Sequence, residues 1–112
     1  MEESDEILSV LSDEQSREII KTLSTAELTI QQISNLLNIP QSTAYRKVKK
    51  LDELKIIKKT KIIRTLEGLD ESSYRNWVYE IIVTFRDGTL SYKIEHIKME
   101  DKIERLWQKF SK

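Results

Sequence analysis

The chain has 112 residues, no Cys, one Pro, two Gly and a single His, with 38% hydrophobic and 34% charged residues. That length fits one domain with one small core. The absence of Cys excludes disulfides, thiolate metal sites and a Cys nucleophile, and no apolar run approaches the roughly 18 residues that span a bilayer. Met1 is followed by Glu2, Glu3, Asp5 and Glu6, the opposite of a basic signal-peptide start, so a soluble, cytoplasmic protein is expected. The net charge is zero but segregated: residues 1–40 hold eight acids and two bases, giving −6, while residues 41–65 hold nine bases and two acids, giving +7. Such a local excess fits one anionic partner at one place or, more plainly, a solvated Lys-rich face.

In chain order, Ile7, Leu8 and Leu11 form a short apolar stripe behind Ser4, a candidate N-cap. Ser12, with Gln15 three residues on, predicts the start of a second helix whose apolar positions are Ile19, Ile20 and Leu23. Thr29 with Gln32 repeats the pattern for a third, carrying Ile30, Ile33, Leu36 and Leu37 and ending near Asn38, a residue that tolerates the left-handed conformation. After Ile39 and Pro40 a fourth helix is predicted from Gln41 to Leu54, its buried stripe being Ala44, Val48 and Leu51.

The period then changes from 3.6 to 2. Ile56 to Leu66 reads as a strand with interleaved Lys and Arg, and Glu67 to Asn76 as a polar, turn-like connection. Trp77 to Phe85 reads as a second strand with Trp77, Tyr79, Ile81, Val83 and Phe85 on one core-facing side. Arg86-Asp87-Gly88-Thr89 marks a tight hairpin into a third strand lined by Leu90, Tyr92 and Ile94. A last helix from Met99 to Phe110 carries the stripe Met99, Ile103, Leu106, Trp107 and Phe110. The expected order is α-α-α-α-β-β-β-α, mainly α with a small antiparallel β-sheet.

Function concentrates in residues 29–54, two helices joined by a connection of about three residues. Such pairs cross steeply and project the second helix from the body. Its exposed side holds Gln41, Ser42, Thr43, Tyr45 and Arg46, suited to base edges in a major groove, and then Lys49 and Lys50, suited to phosphates. Enzyme motifs are missing: the only glycines are Gly68 and Gly88, so no phosphate-cradling loop exists, and one His allows no convincing triad.

Three runs resemble ArsR-like winged helix-turn-helix regulators: Leu11 to Leu23 their opening helix, Glu27 to Leu37 their first motif helix, and Gln41 to Leu51 their recognition helix. Leu54-Lys55-Ile56-Ile57 is similar to the exit into the wing, with Lys55 standing where Gly is usual and Pro40 where a Ser N-cap is usual. The resemblance implies a winged helix-turn-helix fold that binds double-stranded DNA as a homodimeric transcription regulator. It puts Lys58, Lys59, Lys61 and Arg64 on the first wing strand as backbone contacts, joined by Arg75. It also implies that terminal helices form the dimer seam, which makes Met99, Ile103, Leu106, Trp107 and Phe110 its candidates. The expected domain is 1–98, with 99–112 as its dimerisation helix. The metal sensing common in that family is not carried over, since its thiolates are absent; no metal, cofactor or membrane partner is expected. The alternative is a winged-helix protein-interaction module without specific DNA binding. The basic and polar residues along 41–50 favour DNA.

Overall fold

The computed structural model describes residues 2–64 and 66–98. Four helices come first: α1 (Glu3–Ser12), α2 (Glu14–Leu23), α3 (Ile30–Leu37) and α4 (Gln41–Glu53). The strands are β1 (Leu28–Thr29), β2 (Ile57–Arg64), β3 (Asp70–Asn76), β4 (Val78–Arg86) and β5 (Thr89–His96). They form two antiparallel sheets, one ordered β1-β3-β2 and the other the hairpin β4-β5. The fold is a winged helix-turn-helix, with β2 and β3 as the wing. No described helix is long and apolar enough to cross a membrane.

One core gathers all four helices and the base of the wing. Ile7, Ile19, Ile33, Ala44, Val48, Leu51 and Ile56 have no solvent exposure. Burying each large aliphatic side chain contributes about 1.5–3 kcal/mol. The α4 stripe is buried as its spacing predicts. Two expected stripe members are displaced. Leu8 and Leu36 are exposed, and Val10 takes the buried position on α1. Positions 7 and 10 are one helical turn apart, so the core meets α1 along that line and Leu8 faces outward.

Side chains cap the starts of α2 and α3. Thr29 and Gln32 form the expected capping box, with hydrogen bonds of 2.9 and 3.2 Å. At α2 the cap is Asp13, not Ser12: its carboxylate accepts from the Ser16 N–H at 3.0 Å. An acidic cap accepts more strongly than a hydroxyl and also suits the helix dipole. Ser4 does not cap α1; the N-cap is Glu2, and Ser4 is buried within the helix.

The strands depart furthest from the sequence reading. Residues 70–76, read as a turn-like connection, form β3, pairing with β2 from Ile57↔Asn76 to Arg64↔Asp70. Its polar residues satisfy the ladder through backbone groups, so no apolar alternation is required. Thr60 is the bulged residue in β2, and its hydroxyl shares a 2.8 Å hydrogen bond with that of Ser73. In β4 a bulge between Val78 and Glu80 breaks the period at Tyr79. Val78, Ile81 and Val83 pack against the core, whereas Tyr79 and Phe85 are exposed, contrary to the expected single face. β5 alternates as predicted. The hairpin turn has positive φ at Asp87 and Gly88, the type I′ geometry favoured by Asp-Gly. The predicted final helix and its stripe lie outside the described residues.

Candidate nucleic-acid interface

The helix-turn-helix connection is locally determined. Asn38 adopts φ 54, the left-handed cap that ends α3, and the Ile39 N–H returns to the Ser34 carbonyl at 3.1 Å. The Ser34 hydroxyl donates to the Ile39 carbonyl at 2.6 Å, closing the turn. Pro40 is the α4 N-cap, extended at ψ 145, and no side chain caps that helix.

Around α4 the side chains sort into three sectors. Ala44, Val48 and Leu51 face the core. Lys47 and Lys50 lean toward α1 and α2: Lys47 Nζ lies 2.5 Å from Asp13 and Lys50 Nζ 2.6 Å from Glu6. The Glu6 hydrogen bond raises the Lys50 pKa above its ordinary value. Gln41, Ser42, Tyr45, Arg46 and Lys49 are exposed, while Thr43 is half-buried. Lys49 Nζ stands 6.0 Å from the centre of the Tyr45 ring, a cation–π arrangement that orders both.

The wing brings the other predicted residues alongside. Lys58, Lys59, Lys61 and Arg64 are all exposed on β2. Three of the wing cations face acids: Lys61 and Arg75 each lie 3.8 Å from Glu27, and Arg64 lies 3.5 Å from Asp70. Lys58 Nζ sits 5.1 Å over the Trp77 ring. Between α4 and the wing runs a groove bordered by Gln41, Tyr45, Lys49 and Lys59, and also by Asp52, Glu53, Asp70 and Glu71. These acids narrow the cationic surface to the exposed crest of α4 and the outer wing strand. Sequence reasoning passed over Glu6, Asp13 and Glu27; partners this far away along the chain leave no spacing signal.

Two further features position this surface. Lys55 has φ 62, so the position where Gly is usual does require the left-handed conformation. The His96 ring stacks on Trp77 with centroids 3.9 Å apart, and its Nε2 lies 2.8 Å from the Lys55 carbonyl. A carbonyl only accepts, so Nε2 carries the proton there. His96 thus ties β5 to the exit of α4.

The segment from α2 to the first residues of β2 is similar to a known family. Residues 13–59 match the model of the bacterial regulatory protein, arsR family. The matched segment ends within β2. A solved structure from Methanosarcina mazei Go1, described as a possible transcriptional regulator, superimposes with a TM-score of 0.53 at 20% identity. The match covers 67% of this chain and 65% of that one, so the chain spans just under two thirds of that protein. At that identity the likeness is one of fold. No curated protein sequence matches.

Proposed function

We propose that the chain is a sequence-specific, double-stranded DNA-binding transcription regulator acting as a homodimer. The observation that carries this reading is the exposed crest of α4. There Gln41, Ser42, Tyr45 and Arg46 offer hydrogen-bonding groups, and Lys49 follows, beside a β2 edge bearing Lys58, Lys59, Lys61 and Arg64. In this reading the first four, with Thr43, meet base edges in the major groove. Lys49, Lys50 and the wing cations with Arg75 meet phosphates. The uncapped N–H groups at the start of α4 favour a phosphate oxygen there. The match to the arsR family model supports the assignment.

Dimerisation follows from energetics: one recognition helix reads too few bases for specificity, and two-fold symmetric partners read two half-sites about one helical turn apart. Met99, Ile103, Leu106, Trp107 and Phe110 are the proposed seam, on a segment, 99–112, that completes the 1–98 domain. Truncation after Lys98 tests it: a folded product that is monomeric and binds DNA poorly is expected, and a product that stays dimeric puts the seam elsewhere.

A second reading, a protein-contact module, is favoured by the wing tip alone, where Ile62, Leu66 and Leu69 are exposed beside Asp70 and Glu67. Selection of bound sequences from a random DNA pool, with affinity titrated against salt, separates the two. A palindromic consensus with a steep salt dependence is expected for the first. A flat dependence overturns it.

A further inference from the structure

Among the described residues β5 lies along α1, and β4 pairs with no strand other than β5, so its outer edge carries no strand partner there. An open edge is a template for pairing with another chain, and proteins guard such edges with Lys or Pro. β4 contains neither, and its bulge at Tyr79 leaves 80–86 regular, whereas β5 carries Lys93 at its middle. The apolar side chains Tyr79, Ile82 and Phe85 of β4 are 60%, 47% and 73% exposed. Its only charged residues are Glu80 and Arg86, toward opposite ends. Glu80 stands opposite Glu95 across the hairpin, a like-charge pairing that destabilises. Among the described residues neither Glu80, Glu95 nor Arg86 has an ion-pair partner. Arg17 borders the groove at the start of β4, but its guanidinium donates to the Leu11 carbonyl at 2.8 Å.

We propose that β4 pairs antiparallel with β4 of a second copy, about a two-fold axis at Val83, joining two hairpins into one four-stranded sheet. In this register Glu80 faces the partner's Arg86, and Ile81 faces the partner's Phe85. The contact is isologous, so each pairing occurs twice. No like charges oppose one another. Sliding by two residues either way sets Glu80 against the partner's Thr84 or the partner's Gly88 and loses both ion pairs. The seam adds to the homodimer proposed above, and it stands without the DNA reading.

Within one chain Glu80 and Arg86 are six residues apart on a single strand, about 20 Å, so they do not meet. That separation makes a charge-exchange experiment decisive. Glu80→Arg and Arg86→Glu are made separately in the full chain and examined by sedimentation equilibrium, alone and mixed in equal amounts. Each alone opposes like charges twice and should associate about tenfold more weakly than the parent. The mixture should recover parental association, because every contact between positions 80 and 86 then joins opposite charges. Both positions are exposed, so circular dichroism of each variant should match the parent, and Glu80→Arg also relieves the repulsion with Glu95. A dimeric parent whose variants are unaffected, or a mixture no tighter than its components, overturns this seam and leaves the dimer reading intact. A monomeric parent overturns both.

Discussion

Lys47 Nζ lies 2.5 Å from Asp13 Oδ2, and the same oxygen accepts from the backbone N–H and the hydroxyl of Ser16 at 3.0 and 2.7 Å. One carboxylate oxygen therefore caps α2 and holds the flank of α4 against it. The placement of α4 and the start of α2 become one structural unit.

The Lys47 hydrogen bond, followed by that from Ser16, lowers the Asp13 pKa from 3.8 to about 2. A carboxyl depressed in the folded state adds stability that is complete above its unfolded pKa and disappears as pH falls through the folded one. Asp13 should thus contribute fully from neutral pH down to about 5, with its share lost between pH 4 and 2. Asp13→Asn, which retains capping ability, should flatten that acid limb in thermal melts at a series of pH values. Asp13→Ala should cost about 1 kcal/mol at neutral pH through the lost cap. An acid limb that is identical in the Asn variant refutes the assignment.

Lys49 and Lys50 are adjacent in sequence but differ in their surroundings. Among the described residues Lys49 makes no ion pair and stands near the Tyr45 ring, whereas Lys50 is held by Glu6. Lys49→Ala should lower the slope of log affinity against log salt by about 1 for each phosphate lost. Lys50→Ala should change it less, because Glu6 already offsets that charge. Glu6→Gln frees Lys50 and should steepen the slope. Filter binding or fluorescence anisotropy across a salt series reads all three.

Arg46 is the exposed guanidinium of the α4 crest. Arg46→Ala should cost roughly 1–3 kcal/mol on the preferred site and relax preference at one base pair. Equal weakening on specific and random DNA would make Arg46 a phosphate clamp instead.

Lys55 holds φ 62 just beyond α4. A side chain in that region costs about 1–2 kcal/mol, partly offset by the extra unfolded-state entropy of Gly. Lys55→Gly should therefore stabilise by about 0.5–1 kcal/mol and raise Tm by a few degrees. Lys55→Val should lower it, since a β-branched residue tolerates this conformation worst. Calorimetry on both variants checks the sign.

The helical half of this protein was legible in its sequence because the signals there are local. The Thr29–Gln32 capping box, the Asn38 stop and the Ala44-Val48-Leu51 stripe all act within a turn or two of helix. The Asp87-Gly88 hairpin is equally local. The likeness to the arsR family rested on the same stretch, and the family match ends at residue 59, inside β2.

The wing and the electrostatics were settled only in three dimensions. Asp70–Asn76 is too polar to show a strand period, and it is a strand because β2 lies beside it to complete its backbone hydrogen bonds. The bulge at Tyr79 shifts the period within β4, so alternation alone assigned Tyr79 to the core; Phe85 keeps the register of Ile81 and Val83 but lies at the turn end of the hairpin, past the core. Charge counting found a basic stretch over 41–65 but not which cations are already paired. Lys47 and Lys50 meet Asp13 and Glu6 across 34 and 44 residues of chain. Sequence determined where cationic groups are concentrated; packing of α1 and α2 against α4 determined which of them face the solvent uncompensated, because Coulomb attraction at contact distance depends on proximity in space and not along the chain.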